Sequence, residues 1–63
     1  MYNRDTLLKN LSEVRYTIGI AEREATLAEA HGDQDYACTM RSVMESAIGR
    51  RKEMERALSM LPS

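Results

Sequence analysis

Residues 26–37 read Thr-Leu-Ala-Glu-Ala-His-Gly-Asp-Gln-Asp-Tyr-Ala, and the break at Gly32-Asp33 within them decides the fold. Gly32 suits the left-handed position just past a helix end, and Asp33 suits the cap of a following helix. Before the break, Leu7, Leu11, Val14, Ile18, Ala21, Ala25 and Ala28 recur with alternating spacings of 4 and 3. After it, Ala37, Met40, Met44, Ala47, Arg51, Met54, Leu58 and Leu61 recur with spacings of 3 and 4. Each set forms one stripe along a helix, and the two stripes mirror each other about the break. The pattern predicts an all-α fold, an antiparallel hairpin of two long helices with a coiled-coil seam. A single domain over 1–63 is expected, with helix one over about 5–30, a turn at 31–33 and helix two over about 34–61. Asn3 and Asp5 are both candidate N-caps, and Pro62 cannot continue the second helix.

A chain of 63 residues buries only about 60% of its unfolded surface, so its own core is marginal. Small scaffolds add disulfides, metals or oligomerisation. Cys38 is the one cysteine and His31 the one histidine, which excludes an internal disulfide and a Cys/His zinc cluster. No metal and no cofactor are expected, and self-association is the remaining route. The formal net charge is −1, so no whole-protein field draws in nucleic acid or acidic membranes. Met1-Tyr2-Asn3-Arg4-Asp5 is polar with no apolar run behind it, and no stretch approaches the ~18 apolar residues of a membrane span. With its unpaired thiol, the chain is expected to be cytoplasmic.

With the turn centred near Asp33-Gln34, facing residues have numbers summing to about 68 or 69. Leu7 then faces Leu61, Leu11 faces Leu58, and Val14 faces Met54, while small residues oppose large ones near the turn. Arg15 comes level with Glu55, and Glu29 with Arg41, on one side of the seam. On the other side, Ile20 and Leu27 from helix one and Tyr36, Val43 and Ala57 from helix two fall outside the stripes. Burying a Val, Leu or Ile stabilises by roughly 1.5–3 kcal/mol, and a lone hairpin has nothing to bury these against. The expectation is a homodimer forming a four-helix bundle, or a higher helical oligomer.

Three further features break the pattern. Arg51 holds a seam position opposite Ile18, where it must pair or reach water. A single polar seam residue that fixes register accounts for it, as does an anion- or partner-binding role. Arg50, Arg51 and Lys52 are consecutive and so fan out around the helix, with Arg50 toward the apolar second side and Lys52 outward. Gly19 and Gly49 sit at one height on opposite helices and cost roughly 0.5–1 kcal/mol each relative to alanine. Either another helix approaches there, or a groove with Tyr16, Thr17, Arg50 and Arg51 around it receives a ligand. Tyr2, Tyr16 and Tyr36 are the only aromatic residues available to stack on bases, and no nucleic-acid-binding motif is present. The interface and binding candidates are therefore Tyr16, Thr17, Gly19, Ile20, Leu27, Tyr36, Val43, Gly49, Arg50 and Arg51.

No paired carboxylates, Ser/His/Asp set or Gly-rich phosphate loop supports catalysis, so an enzyme is not expected and no catalytic residue is assigned. The two-helix plan resembles free-standing hairpins of the plasmid repressor-of-primer type, in length and architecture alone. That resemblance implies a dimeric bundle and a regulator or inhibitor of the kind plasmids and phages encode. The leading expectation is a self-assembling binding protein that acts on a larger protein partner as regulator, adaptor or inhibitor. The alternatives are a binder of a small anion, nucleotide or RNA through Arg50, Arg51 and Tyr16 at a subunit interface, and a purely structural oligomerisation module.

Overall fold

A computed structural model describes residues 3–62. Helix α1 spans Arg4–Ala30 and helix α2 spans Gln34–Ser59, packed antiparallel along a rod of 48 × 15 × 14 Å. Asn3 caps α1 by accepting from the Thr6 amide at 2.7 Å. Asn3 rather than Asp5 takes the cap, so the helix begins at Arg4, one residue earlier than predicted.

The connection is built from local chemistry. Gly32 has φ +79°, the left-handed conformation that glycine adopts without a Cβ penalty. The Asp33 amide donates to the Ala28 carbonyl at 2.8 Å and the Gly32 amide to the Glu29 carbonyl at 3.1 Å. This pair of bonds is a Schellman ending, which satisfies carbonyls that the helix would otherwise leave bare. Asp33 then caps α2 through the Tyr36 amide at 3.1 Å. At the far end α2 stops at Ser59 instead of Leu61. The Met60 and Leu61 amides turn to the Ala57 and Leu58 carbonyls, both at 3.2 Å. Pro62 disfavours the helical region for Leu61, so the last turn tightens before it.

Every predicted seam residue is buried or half-buried. The buried core is Leu7, Leu11, Val14 and five alanines: Ala21, Ala25, Ala28, Ala37 and Ala47. These are unevenly placed. The large buried side chains lie in the half toward the chain ends, where half-buried Met54, Leu58 and Leu61 meet them. Toward the connection all five buried residues are alanines, joined by half-buried Met40 and Met44. Burial stabilises in proportion to apolar area, about 25 cal/mol per Å², so the alanine half contributes less per residue. Ile48, outside the predicted stripes, is also half-buried beside the seam.

Candidate protein-binding face

The two flanks of the seam differ in kind. On one, charges are answered across the helices. Arg15 Nη2 donates to Glu55 Oε2 at 3.3 Å, and Arg41 pairs with Glu29. Glu55 Oε1 also lies 3.7 Å from Arg51 Nε, one turn away on α2. The side chain of Arg51 is 35% exposed, yet its Nε is buried and without a hydrogen bond. At 3.7 Å the Glu55 carboxylate supplies ion pairing but no hydrogen bond. Glu55 thus links Arg15 to the seam arginine. Both predicted cross-helix pairs form, and they fix the register more than they stabilise, since exposed pairs contribute about 0–1 kcal/mol.

The opposite flank has no such closure. Ile20, Leu27, Tyr36 and Val43 are 38–49% exposed and stand on it from mid-rod to the connection. They occupy the same half in which the seam is alanine. Large apolar side chains stand outside the seam here, as Leu8, Tyr16 and Met60 do elsewhere on the rod.

Three shallow open concavities run along this flank, and Arg50 lines all of them. The central one, about 150 Å³, includes Asn10, Glu13 and Thr17. One toward the chain ends, about 250 Å³, includes Asn10, Glu53 and Ala57. One toward the connection, about 370 Å³, is bounded by Thr17, Thr39, Ser42, Val43 and Ser46. Arg50 makes no ion pair among the described residues. Glu13 and Glu53 share its concavities, so the local field does not select an anion as an isolated arginine would.

The candidates named from the sequence therefore divide. Ile20, Leu27, Tyr36 and Val43 stand on the open flank, and Thr17 and Arg50 line its concavities. Arg51 turns into the seam toward the ion-paired flank. Tyr16 is 71% exposed and lines no concavity, and a Cβ built on Gly19 or Gly49 meets nothing within 4 Å. Within the single hairpin, Tyr16, Gly19, Gly49 and Arg51 line none of the concavities that Thr17 and Arg50 border. At about 100° per residue, Tyr16, Gly19 and Gly49 project to the outer sides of their helices. Tyr2 lies outside the described residues. Asn10, Glu13, Ser46 and Glu53 were missed. Their signal is positional, because they share helix positions with Thr17, Ile20, Val43 and Arg50 at spacings of 3, 4 and 7.

Cys38 is exposed and away from the concavities. Among the described residues no three His, Cys, Asp or Glu side chains group to hold a metal ion, and no helix is long and apolar enough to cross a membrane. No family model matches the chain, and no curated protein or solved structure matches it significantly.

Proposed function

We propose that this chain is a non-enzymatic binding protein that self-assembles through its open flank and, so assembled, acts as regulator, adaptor or inhibitor of a larger protein. One observation carries the reading. Four large apolar side chains, Ile20, Leu27, Tyr36 and Val43, are exposed on one face of the half whose interior is alanine. Folding the hairpin alone leaves 38–49% of each of these side chains in water, which a protein surface laid on the face would bury. A small-molecule site would instead enclose its ligand in a deep, mostly apolar pocket with a few aimed polar groups. The grooves here are open, and the arginine that lines them has Glu13 and Glu53 in the same concavities.

The test places a photo-crosslinking side chain at Val43 and, as control, at Gly49. Polypeptide adducts are expected from the first position and not from the second. In parallel, the melting temperature is measured with nucleotides and with RNA, and no shift is expected. A ligand at 100 times its Kd would add about 2.7 kcal/mol of stability. Such a gain, lost in Arg50→Ala, would replace the protein-binding reading with the anion-binding one.

A further inference from the structure

The geometry points to the occupant of the open flank and its direction: a second copy of this chain, laid face to face with the two connections at the same end. This rests on the protein-binding reading and specifies it.

Area argues for a second copy. The chain exposes 4920 Å², about 800 Å² more than the ~4,100 Å² expected of a compact monomer of 7.2 kDa. That excess comes with the rod shape of 48 × 15 × 14 Å and is the size of one side of a standard protein interface, about 800 Å² per partner. Only three large side chains, Leu7, Leu11 and Val14, are buried within the hairpin, so its own interior is small. A copy of the same chain is present wherever the chain is.

Polarity and Arg50 argue for the direction. Along the flank the apolar residues run from mid-rod to the connection, while Glu13, Glu53 and Asn10 lie toward the chain ends. Full-length overlap with connections at opposite ends would set Leu27 near Asn10 of the second copy and carry Tyr36 and Val43 to its chain ends, away from its apolar half. A two-fold axis across the rod would also stack α2 on α2 and bring the two Arg50 side chains together near mid-rod. With connections together, the two-fold axis runs along the rod and each α2 lies over the partner's α1. Apolar half then meets apolar half, and each Arg50 lies over an α1 segment bearing Thr17, with carboxylates at Glu13 and Glu24 on either side. All neighbouring helices in the resulting four-helix bundle are antiparallel.

Sedimentation equilibrium at tens of micromolar should give the mass of two chains. Val43→Glu places two carboxylates in the interface and should raise the dimer Kd by at least about 100-fold, whereas Tyr16→Glu should leave it within about threefold. Because a face variant can also unfold, direction is read on the intact face. Spin labels are placed at His31→Cys, and separately at Arg4→Cys, both in a Cys38→Ser background. Connections together leave only the bundle's width between equivalent labels, about 20–25 Å at both sites. Opposed rods of 48 Å would separate equivalent labels by about 40 Å at both sites. A half-overlapped pair would give unequal distances at the two sites. Long or unequal distances overturn the direction. A helical monomer overturns the second copy, and the Val43 crosslinks then decide separately whether the face still docks another protein.

Discussion

Arg51 is the one charged residue in the seam, and its surroundings state what it contributes. Its buried Nε has no hydrogen bond, while the Glu55 it approaches is already engaged by Arg15 at 3.3 Å. An orphaned buried donor costs stability, and an exposed ion pair returns little of it. Arg51→Met keeps most of the side chain's volume and removes the donor. Its urea midpoint is therefore expected to equal or exceed the parent's, by up to about 1 kcal/mol, with the mass in solution unchanged. A loss of more than 1 kcal/mol would show that the pair with Glu55 stabilises the fold. Gly32 behaves oppositely. With φ at +79°, Gly32→Ala should cost roughly 1–2 kcal/mol, read as a lower unfolding midpoint, although nothing crowds the new methyl. Both positions are legible in sequence, because a cap depends on its near neighbours and a seam position on spacing. The orphaned Nε is not legible, because it depends on which way one guanidinium turns.

Between elements, the spacing of apolar residues carries nearly all the information. A stripe repeating every 3.5 residues allows one register for a hairpin closed by a three-residue connection, and both expected ion pairs follow from it. Two things were hidden. The end of α2 depends on how far Pro62 perturbs Leu61, which spacing does not report. The division of exceptional residues between flanks needs the angle of each about its helix, and height alone had grouped Gly19 and Gly49 with Arg50. Open space at both glycines makes a direct prediction. Gly19→Ala and Gly49→Ala should each stabilise the helix by about 0.5–1 kcal/mol and leave the mass of the proposed dimer unaltered. A lower midpoint with loss of the dimer would mean that a second backbone approaches the glycine side, which would move the interface off the open flank.

For the whole molecule, shape is the governing fact. A radius of gyration of 14.4 Å exceeds the roughly 11 Å of a compact domain of this length, so much of the apolar surface has no interior to enter. The two halves of the rod then differ in what holds them. Toward the chain ends, leucines and Val14 lie between the helices, and cohesion is intramolecular. Toward the connection, alanines with half-buried Met40 and Met44 lie between them while Leu27, Tyr36 and Val43 stay partly exposed, and in the proposed assembly cohesion there depends on what covers that face. Local stability follows buried apolar contact, and amide exchange reports it residue by residue. Exchange measured from sub-micromolar to high-micromolar protein should therefore slow chiefly in residues 18–47, with much less change in residues 7–14 and 54–58. Fraying cannot mimic this result, because frayed ends lie in the second group and do not respond to concentration. A uniform slowing along both helices would mean that the hairpin folds only as a dimer, with its halves equally dependent on the partner. No concentration dependence anywhere would mean that the alanine seam holds its half of the rod unaided.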